Sequence, residues 1–246
     1  MKILVCISKS PDTTTKISFT DNDTKFNEDR VQWIVNPYDE WYSLVRGLEL
    51  KEANGGSVTC ISVGGADYEP IIRKALAIGA DDAVRIDADP KDATYVAQQI
   101  AAYAKDKGFD IIFTGKETLD YNGYQVGAML AEALDLPYVS TAHKLDVDGS
   151  TARMEREIQG GLEVVEAQLP IVLSTAKDMA EQRIPNMRGI MSARTKPLEV
   201  VPAVDAGSHI EAVQFSLPEA KGAVKMIDAD NPEELIDLLR NEAKII

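Results

Sequence analysis

The sequence predicts a doubly wound α/β domain, a parallel sheet with helices on both faces, followed by an antiparallel extension and a C-terminal arm. Three observations carry that expectation. Continuous apolar runs such as "KILVCIS" (2–8), "SVTCISV" (57–63) and "FDIIFTG" (109–115) suit strands buried on both faces. Segments of helical spacing, closed by glycine or opened by a capping residue, stand between them. The alternation stops after Pro137, where strand-like alternation and glycine turns take over.

Taken in order, "KILVCIS" is the first buried strand, and the polar stretch 9–30 reads as a loop or an edge hairpin. "VQWIV" (31–35) is a candidate short strand. "NPYDEWYSLVRGLELKEANGG" places Asn36 as N-cap, Pro37 at the first helical position and Gly55-Gly56 at the close, so it predicts a helix. The next strand, 57–65, ends in Gly64-Gly65. A helix follows over 67–80, then the strand "DDAVRID", a helix over 92–108, the strand 109–115 and a helix from about Tyr124 to Leu134. From His143 to Ala176, turn signals at Asp148-Gly149 and Gly160-Gly161 predict an antiparallel meander. The segment 179–197 is basic and contains methionine. From about Val200 the strand–helix rhythm is lost until a capped helix over 231–244, so the tail is expected to lie on something else, such as another chain. The domain division is thus 1–199 and 200–246.

Composition narrows the function classes. The chain has 246 residues, 45% of them apolar, and a net charge of −14, which argues against nucleic acid and anionic membrane surfaces as partners. Two cysteines, Cys6 and Cys60, lie inside strand-like runs and read as buried reduced thiols. With two histidines and no CxxC pair, no metal site is expected. The N-terminus runs straight into a strand without signal-peptide architecture, and no apolar run reaches spanning length. The expectation is a soluble, cytoplasmic protein.

In open α/β sheets ligands bind beyond the carboxyl ends of the strands. Three segments reach that edge: the end of the first strand (Cys6, Ile7, Ser8), Gly64-Gly65, and the loop "GKETLDYNGYQVGAML" (115–130). Neither GxGxxG nor GxxxxGK[ST] occurs, which excludes a standard dinucleotide fingerprint and a P-loop. Gly123 and Gly127, flanking Gln125, suit a backbone cradle for an anion at a helix N-terminus. They equally suit an ordinary strand–helix turn in which Gly123 supplies a positive φ.

Five motifs in order, "NPYDEWYSLVRGLELKE", "IIRKALAIGADDAVRI", "TGKETLDYNGYQVGAML", "REIQGGLEV" and "IPNMRGIMSARTKP", resemble the beta subunit of electron transfer flavoproteins over nearly the full length. The resemblance implies a Rossmann-like fold of the adenine nucleotide alpha-hydrolase type and a C-terminal arm wrapped around an alpha subunit. It implies FAD held mainly by that partner and one structural AMP in this chain. On these terms the AMP site maps onto Cys6, Asn36, Pro37, Tyr38, Asp39, Val63, Gly64, Asp120, Gly123, Tyr124, Gln125, Val126 and Gly127. Tyr124 and Val126 depart from the Asn and Thr common in the family, and Val126 offers no hydroxyl to a phosphate. Electron-bifurcating members hold a second FAD here, but their preceding "DGDTA" is "DYNGY" in this chain.

The segment 183–196 matches the family's recognition loop for partner dehydrogenases. Met187 stands at the anchoring position, with Ile184, Pro185, Ile190 and Met191 around it; the alternative is a core methionine beneath a loop. Arg183, Arg188, Arg194 and Lys196 read as solvated charge. Glu157 matches a carboxylate that pairs with the mobile FAD domain, or it is an exposed hairpin charge. The family's aromatic residue near the flavin has no counterpart; Thr13 lies near that position. The resemblance implies an electron carrier, not an enzyme. It would accept electrons from acyl-CoA and related dehydrogenases in fatty acid oxidation and pass them to a quinone oxidoreductase. A nucleotide-hydrolysing enzyme on the same fold would need a glycine-rich motif in "CISKSPDTT", which has none, and a stand-alone nucleotide module would leave the tail without a purpose.

Overall fold

The computed structural model describes every residue, Met1–Ile246, and the chain divides into two compact units. The larger comprises Met1–Lys16 with Asn27–Val213, and the smaller Ile17–Phe26 with Gln214–Ile246.

The larger unit is built on a nine-stranded sheet. Its parallel part contains β1 (Lys2–Cys6), β6 (Ser57–Val63), β7 (Asp82–Asp87) and β8 (Ile111–Gly115). Helices α1 (Glu40–Asn54), α2 (Glu69–Ile78), α3 (Ala93–Ala104) and α4 (Val126–Leu134) alternate with these strands. The strands alternate faces at period two, as pleated strands must. Ile3, Val5, Val58, Cys60, Ile111 and Phe113 meet Leu44 and Leu48 of α1 and Ile72 and Leu76 of α2. Leu4, Cys6, Ile61, Val63 and Ile112 meet Ile100 of α3 and Leu130 of α4. With apolar residues on both faces and helices covering both, the doubly wound expectation holds.

Two short strands, β2 (Lys9–Pro11) and β5 (Trp33–Val35), pair antiparallel beside the main sheet. The "VQWIV" strand therefore exists but lies outside that sheet. Asn36 does not cap α1, and Pro37 is not its first helical residue. The helix begins at Glu40 with Asp39 at the cap position, because the Asn36 side chain is used instead to donate to the Glu117 carbonyl at 2.6 Å.

Beyond α4 the chain forms β9 (Tyr138–Asp148), β10 (Thr151–Ile158) and β11 (Gly161–Gln168), an antiparallel meander turning at Gly149 and Gly160, both at positive φ. The last run of the expected meander does not join it. β12 (Ile171–Thr175) is buried throughout and runs parallel between β8 and β9. Its continuous apolar sequence is that of a central parallel strand. β9 serves both parts of the sheet and bends between them at Thr141, a β-branched residue at φ 54°.

Helix α5 (Met187–Ala193) precedes β13 (Leu198–Pro202), which pairs parallel with β7. The sheet thus extends past residue 199, and Val200 and Val201 belong to its edge. The full strand order is β11-β10-β9-β12-β8-β1-β6-β7-β13. After β13 the chain is pinned to α3: Gln99 exchanges two hydrogen bonds of 2.8 Å with the Val204 backbone. Asp92, which caps α3 through Tyr95 N–H, also accepts from the N–H groups of His209 and Ile210.

In the smaller unit β3 (Phe19–Thr20) and β4 (Lys25–Phe26) form a hairpin, and Phe19 stacks on Phe215 with centroids 5.2 Å apart. Helix α6 (Pro232–Asn241) is the expected terminal helix; Asn231 stands at its cap position without a side-chain cap, and the helix has no buried residue.

Candidate functional site

The chain order of the sheet creates a switch point. From β1 it moves outward to β6 and β7, then returns to place β8 on the other side of β1. The crevice beyond the carboxyl ends of β1 and β8 is where open α/β sheets bind ligands. Four segments converge there: Cys6–Ser8, the Asn36–Glu40 entry to α1, Val63-Gly64, and the loop from Gly115 to α4.

The core of the junction is a close approach. A Cβ on Gly115 would lie 2.9 Å from Glu40 Cγ and 3.1 Å from Asp39 Cβ, so only glycine lets α1 rest on the end of β8. The Ser43 hydroxyl lies 2.6 Å from Thr175 Oγ1 and 3.1 Å from the Thr114 carbonyl, and Thr175 donates to the Asp39 carbonyl at 2.7 Å. These buried hydroxyls satisfy strand-end and helix-start groups that water cannot reach.

Two acidic side chains are drawn into this junction. Glu40 accepts from Ser8 N–H at 2.8 Å and Ser8 Oγ at 2.7 Å. Burial pushes its carboxyl up to about 8, against the lowering effect of the Ser8 bonds. Asp39 accepts from Glu117 N–H at 3.2 Å, and desolvation raises its carboxyl to about 6. Its other oxygen, Oδ1, is buried without a hydrogen-bond partner, and so is Asn36 Oδ1. Burying a polar atom unpartnered costs about 1–3 kcal/mol. Two such acceptors at the entry to α1, beside the switch point, fit a ligand that brings donors, as the amino group and hydroxyls of an adenine nucleoside do.

The loop itself is exposed from Asp120 to Gln125. It is held at its root: Asn122 Nδ2 donates to Glu117 at 2.9 Å, Tyr124 Oη to the same carboxylate at 3.0 Å, and Lys116 pairs with it at 3.0 Å. Gly123 does not supply a positive φ. Asn122 at φ 48° and Tyr124 at φ 55° make the turn, and a Cβ at Gly123 would meet open space. Gln125 sits at the cap position of α4 and provides no side-chain cap, so the helix N-terminus faces the crevice uncapped. With Asp39, Glu40, Glu117 and Asp120 on the α1 side, this helix end is the part of the crevice suited to an anion.

Gly127 has a different role from the one its sequence position suggests. It is buried, and a Cβ there would lie 2.7 Å from Thr114 Oγ1 and 2.9 Å from Tyr138 Oη. Its missing side chain lets α4 approach β8 and β9. Gly64 is likewise closed on one side, since a Cβ there would collide with the Tyr68 ring, while Arg85 holds the Gly64 carbonyl at 2.9 Å. Cys6 and Val63 are buried beneath the crevice, and burial pushes the Cys6 and Cys60 thiols up. Tyr38 and Tyr124 are exposed at its rim, Pro37 is half-buried, and Val126 opens α4.

Sequence reasoning placed Ser8 at this edge but gave it no role, and it did not single out Glu40, Gly115, Glu117 or Tyr68. Glu40 lies inside the quoted "NPYDEWYSLVRGLELKE" and Ser8 closes "KILVCIS", but nothing in a linear pattern shows that a carboxylate is buried. A separate cleft of about 340 Å³ opens at the amino ends of the strands among Lys2, Asp82, Tyr103 and Glu199, away from this convergence.

The expected docking residues lie elsewhere. Met187 is 73% exposed, Ile184 87%, Met191 67% and Ile190 41%, with Pro185 half-buried between them. The core position is taken by Met179, at 5%. Glu157 is an exposed residue of β10, opposite Leu162.

Two outcomes follow from the junction. Between about pH 4.5 and pH 8 the folded chain holds a proton on Glu40 that the unfolded chain has released, so stability falls as pH rises through that window. Glu40→Gln keeps the Ser8 bonds without the charge. It is expected to flatten this pH dependence and to exceed the parent at pH 8 by on the order of 1–3 kcal/mol in denaturant unfolding, with near equality at pH 4.5. Gly127→Val is expected to cost about 1–3 kcal/mol by overpacking against Thr114 and Tyr138, whether or not nucleotide is added.

Comparison with known proteins agrees with this geometry. Residues 23–206 match the family described as the electron transfer flavoprotein domain. The chain is 36% identical to the electron transfer flavoprotein subunit beta of Bacillus subtilis (strain 168), with the whole of both chains covered. It is 34% identical to the subunit beta of Syntrophomonas wolfei, covering all of this chain and 98% of that one, and 30% identical to the mitochondrial subunit beta of Arabidopsis thaliana, with both covered in full. A family match over residues 23–206 and identities of 30–36% over the full length lead to one conclusion: the chain belongs to the electron transfer flavoprotein beta-subunit family.

Proposed function

We propose that the chain is the scaffold half of a heterodimeric electron carrier, with one AMP in the β1/β8 crevice and FAD held mainly by an alpha subunit. The observation that carries the nucleotide assignment is the pair of orphaned buried acceptors, Asn36 Oδ1 and Asp39 Oδ1, at the same crevice as the uncapped start of α4. The acceptors suit the base or ribose, and the helix end suits the phosphate. When bound on the partner, the flavin supplies the electron chemistry. In this chain Asn36 and Asp39 orient the nucleotide, Gly115 and Ser43 fix the wall on which it rests, and no residue acts as acid, base or nucleophile.

Three surface features support the partners. Ile210, Val213, Leu217, Val224 and Met226 are all more than half exposed along the arm, and such a run of apolar residues suits burial against the alpha subunit. The exposed methionines 187 and 191 suit docking of acyl-CoA and related dehydrogenases, as in fatty acid oxidation, because an unbranched side chain adapts to several surfaces. Glu157 is free to meet an arginine of the flavin-bearing domain. Delivery to a quinone oxidoreductase completes the role. No helix is long and apolar enough to cross a membrane. The two buried free thiols suit the reducing cytoplasm.

The test is to denature the heterodimer purified with its alpha subunit and quantify the released nucleotides. One FAD and one AMP per heterodimer are expected. Two FAD would assign the crevice to a second flavin, as in an electron-bifurcating carrier, and flavin without AMP would contradict the structural-AMP assignment.

A further inference from the structure

Helix α5 is seven residues long and buries only Ala193, so its own packing does little to hold it. It is held from below by α2. Arg73 Nη1 donates to the Ala193 carbonyl at 2.8 Å and to the Lys196 carbonyl at 2.7 Å, which fixes the C-terminal end of α5. Lys196 reaches back in the opposite sense and donates to the carbonyls of Leu76 at 2.9 Å and Ala80 at 2.5 Å, at the C-terminal end of α2. Each cation thus closes the helix end of the other element, where carbonyls lack intrahelical donors. Between these clamps Gly189 meets α2 directly, since a Cβ there would collide with the Ala77 carbonyl. Asn186 caps the start of α5 through Gly189 N–H at 2.8 Å.

The segment entering α5 is tied as well. Trp41 Nε1 donates to the Arg183 carbonyl at 3.2 Å, Gln182 to the Pro37 carbonyl at 2.7 Å, and Arg183 grips Glu52 with two bonds of 2.5 and 2.8 Å. Lys196 and Arg183, expected from sequence to be solvated charge, are therefore structural. Burial lowers the Lys196 ammonium below its ordinary range, and its two carbonyl acceptors replace the lost water.

We propose that Arg73 and Lys196 are positioning residues for electron-donor docking, holding α5 on α2 so that Met187 is presented on a rigid platform. This rests on the docking assignment of Met187 made above. Neither cation touches the donor; each acts through the placement of α5.

The experiment uses the heterodimer with its alpha subunit and a purified acyl-CoA dehydrogenase as donor, with heterodimer concentration varied to separate KM from kcat. Four proteins form a cycle: the parent, Arg73→Gln, Met187→Ala and the double variant. Arg73→Gln is expected to raise KM about five- to tenfold, the effect of losing a charge-assisted pair of bonds, with kcat, flavin and AMP content unchanged. In the Met187→Ala background the same change is expected to add less than about twofold, because the anchor it positions is gone. Arg73→Lys, which can reach only one carbonyl, should fall between, and it carries the same cycle if Arg73→Gln does not fold. A KM effect in Met187→Ala with none in the Arg73 variants overturns the positioning role, as does full additivity of the two changes. No KM effect in Met187→Ala overturns the docking assignment and the proposal with it.

Discussion

The crevice at the carboxyl ends of β1 and β8 depends on how closely α1 can lie against the end of β8. Gly115 permits the approach, and the Ser43, Thr114 and Thr175 groups make it habitable for polar atoms. Because α1 starts there, Asp39 and Glu40 are carried out of water, and their carboxyls are raised chiefly by desolvation, with neighbouring carboxylates adding to it. The same approach brings Glu40 to Ser8 at the end of β1, and Asp39 and Asn36 to the Glu117 root of the loop. A parallel sheet, a helix start and a loop are thereby locked at one point, with two acceptors left over.

The leftover acceptors give the crevice a polarity. Its α1 side is acidic and acceptor-rich, which opposes a phosphate and favours donors. Its α4 side is an uncapped helix start, which favours an anion. A mononucleotide with amino and hydroxyl groups at one end and a phosphate at the other matches that division. Lys116 does not disturb it, because its ammonium is committed to Glu117.

Much of the fold was legible because buried parallel strands announce themselves as continuous apolar runs and helices carry their stop signals in Gly55 and Gly79. What was not legible had a common cause: tertiary partners overrode local signals. Asn36 looked like a cap until the loop 81 residues away claimed its side chain. β12 followed two hairpins in sequence, yet its apolar run belonged between β8 and β9. Gly123 and Gly127 looked alike in the sequence, yet a Cβ at the first would meet open space and at the second would meet Thr114 and Tyr138. The basic stretch 183–196 read as solvated charge, but Arg183 and Lys196 are clamps whose acceptors are carbonyl or carboxylate groups more than a hundred residues away in sequence. The exposure of Met187 was anticipated only through the family resemblance, with a core methionine as the alternative, because nothing in the local pattern of 183–196 separates the two.

The central claim is that the β1/β8 switch point is the adenine-nucleotide site. It is tested most directly by hydrogen exchange of the nucleotide-stripped heterodimer with and without AMP. Protection on AMP addition is expected in residues 36–40, 63–68 and 116–128, the segments that converge on Asn36 and Asp39. Protection absent there, or found instead around the cleft between Lys2 and Glu199, would contradict the account.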